Sequence, residues 1–136
     1  MPWRARKKIE HWVKPLKQYG YAPLAYNQAT FRFIELTSFS RVRDEYFDDD
    51  EFAAFQRHLA SNPLAGDVIP GTDGVRKMRW ARDGTGKRGG LRVIYYVQDR
   101  LGRIWLMTVY AKSARENIAV KTLLKLKESI DHAQVD

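Results

Sequence analysis

Lysine and arginine side chains concentrate between positions 76 and 92, where seven cations and one acid occur. In the strand-like run 75–81, Lys77 and Arg79 share one face, because side chains alternate along a strand. Arg92 and Lys112, in two later strand-like runs, can converge on the same face of a sheet. A lysine surrounded by cations is suited to act as a base, and arginine forks clamp phosphoryl oxygens. Together these four cations predict a surface that binds a polyanion, with RNA as the natural candidate.

Further side chains could contact RNA around this face. Tyr96 and Tyr110 fall on the cationic face, where their rings could stack on bases. The loop 82–90 carries four glycines and three cations, so its backbone could approach a phosphate closely. A solvated, positively charged sheet face is the structural alternative, but like charges on adjacent strands repel and a polyanion would relieve this. The predicted RNA contacts are Arg76, Lys87, Arg88, Tyr96, Tyr110 and Arg115.

Other chemistries find little support. The segment 84–89 matches G-x-G-x-x-G, but a strand follows it rather than the helix that a dinucleotide site requires. The chain has no cysteine, which excludes disulfides, thiol catalysis and cysteine-based metal sites. His11, His58 and His132 are not at metal-ligand spacing, and His58 is predicted to be a surface residue of a helix. No metal and no cofactor are expected.

The length of 136 residues fits one domain, and 44% hydrophobic residues with 29% charged residues is ordinary for a globular protein. The net charge of +8 is typical of proteins that bind nucleic acid. The sequence lacks a run of 18 apolar residues, so no membrane span is predicted, and a cytoplasmic location is expected. Residues 1–30 hold six cations, and Pro15, Gly20 and Pro23 interrupt any long helix. This segment is predicted to be a loosely attached, partly helical extension. Residues 31–136 are predicted to form the domain.

The periodicity indicates an α+β fold with the order β-α-α-β-β-β-α. A strand begins at Phe31, and two short helices follow, one capped by Ser38 and one by Asp48 with Glu51 three residues on. Three strands are then predicted over 75–81, 91–98 and 103–112, with a turn at 99–102. A final helix directs apolar side chains inward and Lys121, Lys125 and Lys127 mostly outward. Short links between strands favour an antiparallel sheet with the helices on one side.

Three segments resemble the RelE/HigB superfamily of type II toxins, and HigB-like members most of all. They are Gly74-Val75-Arg76-Lys77-Met78-Arg79, Gly84 to Tyr96, and Leu106-Met107-Thr108-Val109-Tyr110-Ala111-Lys112. Asp67 to Thr72 fits the same pattern, and the resemblance covers about residues 31–133. It implies a small twisted antiparallel sheet packed against helices. It also implies that Lys77, Arg79, Arg92 and Lys112 hold the family's catalytic positions.

The resemblance further implies a ribosome-dependent mRNA endonuclease that inhibits translation. Its partners would be mRNA at the ribosomal A site and a cognate antitoxin, with a HigA-like helix-turn-helix protein as the expected kind. The chain departs from the family at Ser113, where members often have arginine, although Arg115 is near. It also departs at 118–120, where some members carry a tyrosine. A non-catalytic RNA-binding or partner-binding module on the same fold is therefore the alternative.

Overall fold

The computed structural model describes residues 31–81, 90–115 and 117–133. These residues form a five-stranded sheet and three α-helices, an α+β architecture. The elements are β1 (Arg32–Glu35), α1 (Thr37–Tyr46), α2 (Asp49–Ser61), β2 (Asp67–Val68), β3 (Arg76–Trp80), β4 (Leu91–Gln98), β5 (Arg103–Ala111) and α3 (Val120–Asp131). A 3₁₀ turn at Asp99–Leu101 joins β4 to β5, where Gly102 adopts the left-handed conformation that glycine tolerates.

The sheet is mixed, with the strand order β1-β5-β4-β3-β2. The strands β2 to β5 pair antiparallel, as the short links between them predicted. The expectation of a wholly antiparallel sheet is wrong, because β1 pairs with β5 in parallel. The first strand is separated from its partner by the helical pair and three other strands, so no tight turn dictates its direction. The two-residue strand β2 was not predicted either.

The helical pair packs through phenylalanine side chains that recur at helical spacing. Asp48 caps α2 as predicted, since its side chain accepts a hydrogen bond from Glu51 N at 2.7 Å. The prediction that Ser38 caps α1 is wrong: the helix begins at Thr37, and Ser38 Oγ donates to Met107 O instead. The fully or almost fully buried rings are Phe39, Phe47, Phe52 and Phe55. Their clustering joins the two helices to the sheet, where Phe55 meets Trp80 edge-on at 5.3 Å.

The last helix packs on the other face of the sheet, so helices do not lie on one side as expected. Trp80, which contacts α2, pairs with Leu91 of β4. Lys127 of α3 lies 4.8 Å from the ring centre of Tyr96. Leu91 and Tyr96 are an odd number of residues apart along β4, and therefore face opposite ways. Lys127, expected to point mostly outward, is only 6% exposed.

Lys127 joins α3 to the loop before β3. Its ammonium lies 3.3 Å from Asp73 Oδ2 and 3.1 Å from Asp131 Oδ2. Burial alone lowers the pKa of Lys127, but the hydrogen bonds to Asp131 and Asp73 and the nearby Tyr96 outweigh it and raise that pKa. The folded state therefore favours the charged lysine.

Replacing Lys127 by methionine is expected to lower the free energy of unfolding by about 1 kcal/mol, since both partner carboxylates are partly or largely exposed. The difference from the parent should be constant below the ordinary lysine pKa of 10.5 and vanish as pH rises through the higher folded-state pKa. Urea unfolding at pH 7 to 11 measures this. A difference that grew with rising pH would contradict the assigned pairing.

The dispensability of residues 1–30 is a prediction that lies outside the described residues. Phe31 and Phe33 are buried, and the buried apolar side chains of the described residues extend from Phe31 to Ile130. A chain that starts at Thr30 is expected to fold, with a melting temperature within a few degrees of the parent, because its core is complete. Thermal unfolding of the two chains tests this. A large fall in melting temperature would mean that Trp3 and Trp12 contribute to the core.

Candidate functional site

A cavity of about 510 Å³ opens beside β3, where basic side chains from two strands meet a helix. β2 pairs with Arg76 and Lys77, so residues 78–80 form the sheet edge within the described part of the chain. The cavity reaches around this edge to both faces of the sheet. Its lining residues are His58, Ala65, Asp67, Lys77, Met78, Arg79 and Arg92. Three of the four predicted catalytic residues are thus brought together.

The register of β3 and β4 places Arg79 directly opposite Arg92. Lys77 lies opposite Ile94. Side chains at paired positions start about 5 Å apart, so two guanidinium groups here repel each other. An anion bound between them would relieve that repulsion, and planar guanidinium groups suit the oxygens of a phosphate.

Arg92 is more enclosed than a solvated sheet position would be. It is 7% exposed, and its Nη1 donates to Leu91 O at 3.3 Å. Arg79 is exposed, so the two arginines differ in their access to solvent. Replacing Arg92 would therefore disturb packing as well as remove a charge. Arg79 offers the cleaner test of the site, because its removal disturbs little packing.

Lys77 forms a hydrogen bond across the sequence to the loop before α3. Its Nζ donates to Asn117 Oδ1 at 2.8 Å. Asp67, paired with Lys77 in the β2–β3 register, adds a carboxylate at the rim of the cavity. The amide of Asn117 thus holds the Lys77 amine, and both Lys77 and Asp67 line the cavity.

Arg76 and Tyr95 support the cavity from the opposite face of β3. Arg76 Nη1 donates to Gly66 O at 2.6 Å, while Gly66 N donates to the Tyr95 hydroxyl at 2.8 Å. That hydroxyl in turn donates to Pro63 O at 2.8 Å. A Cβ at residue 66 would lie 2.8 Å from Lys77 O, so the close approach requires glycine. Arg76, predicted to contact RNA, holds this loop through that hydrogen bond.

The remaining predicted contacts are dispersed. Lys112 and Arg115 are exposed beyond the end of β5, where Lys112 N donates to Gly90 O. They lie outside the cavity lining. Tyr110, opposite Arg92, is 6% exposed, which leaves little of its ring for base stacking. Tyr96 carries Lys127 over its ring. The predicted contacts that fall outside the described residues are Lys87 and Arg88.

Sequence reasoning missed three polar residues around the cavity. Asp67 and Asn117 received no assignment, and His58 was interpreted only as a residue of the helix surface. His58 is exposed, as predicted, but its exposed side faces the cavity. The three come from α2, β2 and the loop before α3, and no local motif connects them. Of the three, only Asp67 lies in a segment, Asp67 to Thr72, that the resemblance to the toxin family includes.

No family model matches the chain. Among the described residues, no group of three histidine or acidic side chains could hold a metal ion. Within the same ranges, no helix has the length and apolar character needed to cross a membrane.

Tyr95 is buried in the core, and its hydroxyl holds the loop beside the cavity. Removing that hydroxyl should lower the free energy of unfolding. Burial raises the pKa of Tyr95, against the opposing effects of Gly66 and Arg76, so the hydroxyl stays protonated at neutral pH. Replacing it with phenylalanine leaves Pro63 O and Gly66 N without this partner. The expected loss in free energy of unfolding is about 1–2 kcal/mol, unchanged from pH 6 to 9. Denaturant unfolding checks this, and an unaltered midpoint would remove Tyr95 from the supporting framework.

Proposed function

We propose that this protein is a toxin of a type II toxin–antitoxin system, with the RelE/HigB-like fold and ribosome-dependent cleavage of mRNA as its activity. The observation that carries the proposal is the cavity of about 510 Å³ in which Lys77, Arg79 and Arg92 meet. Among the described lining residues, three cations from adjacent strands stand against one acid, Asp67, which favours a polyanionic ligand. The small α+β fold, with its helical pair against a sheet, supports the same assignment.

The proposed reaction is the attack of a ribose 2′-oxygen on the neighbouring phosphorus. Arg79 and Arg92 bind the phosphoryl oxygens, where negative charge develops in the transition state. Their opposed positions in β3 and β4 allow two forks to approach one phosphate. Lys77, oriented by Asn117, supplies an amine for proton transfer. Lys112, exposed just after the end of β5, is assigned to binding the flanking RNA backbone.

The partners follow from that activity. mRNA in the ribosomal A site is the substrate, and the cytoplasm is the location. A toxin with an open basic cavity must be neutralised, so a cognate antitoxin, of the HigA-like helix-turn-helix kind, is proposed. It could cover the cavity with acidic residues, or bind the helical side and prevent entry into the ribosome.

The second candidate is a non-catalytic RNA-binding or partner-binding module. Two exposed residues favour it, Ser113 and Ala119, at places where the family often has an arginine or a tyrosine. Such a module would retain the cation cluster and bind RNA without cutting it. The two functions are separated by mapping mRNA 5′ ends after induction: new ends within translated codons support the toxin. Unchanged transcripts with RNA bound support the module.

Replacing Arg79 by alanine is expected to abolish growth inhibition and to slow mRNA cleavage by roughly 10²-fold, because one phosphate clamp is lost. Stability should change by less than about 0.5 kcal/mol, since Arg79 is exposed. Arg100→Ala removes an equally exposed arginine at the β4–β5 turn and serves as the matched control. Growth assays on induction and cleavage assays with translating ribosomes measure both. Equal toxicity of the two variants would place the site elsewhere.

A further inference from the structure

His58 of α2 contributes an imidazole to the cavity that Lys77, Arg79 and Arg92 line. No local sequence pattern connects this helix with the strands. The other histidine within the described residues, His132, lies at the C-terminal end of α3, away from this lining. Histidine is the side chain best suited to exchange a proton between pH 5 and 8. Its place beside three cations is therefore chemically significant.

Aromatic packing limits where the His58 ring can go. Its centre lies 5.6 Å from that of Trp80, with 50° between the planes. Trp80 itself is held edge-on against the buried Phe55 at 5.3 Å. His58 is thus exposed on one side and supported on the other. A group that transfers protons needs such a defined position within reach of the reacting atom.

His58 and Lys77 approach the cavity from opposite sides of β3. Trp80, which His58 contacts, and Lys77 are three residues apart in that strand and face opposite ways. Because the cavity reaches around the strand edge, both side chains line the same space. The attacking and leaving oxygens of a phosphoryl transfer lie roughly in line, on opposite sides of the phosphorus. Two proton-transfer groups on opposite sides match that requirement.

We propose that His58 is the general base of the cleavage reaction and Lys77 the general acid, an inference that rests on the proposed function. The neutral imidazole takes the proton from the 2′-OH as the 2′-oxygen bonds to phosphorus. The bond from phosphorus to the 5′-oxygen breaks, and that oxygen takes a proton from the Lys77 ammonium. The products are a 2′,3′-cyclic phosphate and a 5′-hydroxyl, and water returns the proton from imidazole to amine. This reverses the role that the sequence suggested for Lys77.

Charged side chains surround His58 in the cavity. Lys77 and Arg79 of β3 and Arg92 of β4 line it, and Arg57 precedes His58 on α2. Among the lining residues that the structure describes, Asp67 of β2 is the one acid. A neutral imidazole accepts a proton at one ring nitrogen, whereas an ammonium can only donate, so the two groups suit the base and the acid respectively.

The test is the pH dependence of mRNA cleavage by the full chain on translating ribosomes, between pH 6 and 8.5. The parent rate should rise with pH toward a plateau, because only a neutral imidazole can act as the base. His58→Gln should cleave at least about 10²-fold more slowly at the plateau, with no rise in this range, while binding ribosomes as the parent does. His58→Ala should regain activity when imidazole is added. His132→Gln, the matched control, should retain the parent rate and profile.

The outcomes distinguish the two proposals. A parent protein that does not cleave mRNA overturns the proposed function, whatever His58 does. An active parent with a His58→Gln variant of equal rate and profile overturns the assignment of His58 alone. A 5′-bridging phosphorothiolate at the mapped cleavage site separates acid from base, because a thiolate leaves without protonation. It should restore Lys77→Ala and leave His58→Gln slow, and the opposite pattern overturns the direction of transfer.

Discussion

The pairing of β3 with β4 places Arg79 directly opposite Arg92, and the site depends on this register. One face of the two strands carries Met78 and Val93 into the core, and that burial determines which residues pair. A shift of this register by one residue would turn Met78 and Val93 away from the core, and their burial would be lost. The register that buries the apolar face therefore also places Arg79 and Arg92 side by side on the opposite face. Hydrophobic burial on one side of the sheet sustains an electrostatically unfavourable arrangement on the other.

In the part of the chain that the structure describes, the cavity lies where the sheet edge is uncovered beyond β2. A longer β2 would cover residues 78–80 and close the space that α2 and β3 share. The loop before β2 is held by Arg76, Tyr95 and Gly66 through three hydrogen bonds that reach across the sheet. On the other face, Lys127 connects α3 to the loop carrying Asp73. These polar contacts hold the loops that border β3, while the aromatic cluster holds the helix that brings His58.

Binding and cleavage make different demands on this surface. A cluster of guanidinium groups is enough to hold a phosphate, and the module without catalysis needs nothing more. Cleavage also needs groups that move protons on both sides of the phosphorus. The structure places an imidazole and an amine on either side of one strand edge, around the same cavity. The proposed toxin activity therefore depends on how α2 and β3 are joined, through Trp80, more than on the number of cations.

Local patterns in the sequence were sufficient for the helices, for the three long strands with their alternating faces, and for the Asp48 cap. They also identified Lys77, Arg79 and Arg92 as one cluster, because alternation and short links are properties of adjacent residues. Tertiary structure decided the rest. It paired β1 with β5 in parallel and buried Lys127 and Tyr110. It also brought His58 and Asp67 to the cavity and Asn117 to Lys77. These contacts join residues up to about 70 positions apart, and side-chain packing in three dimensions, which no local periodicity encodes, brings them together.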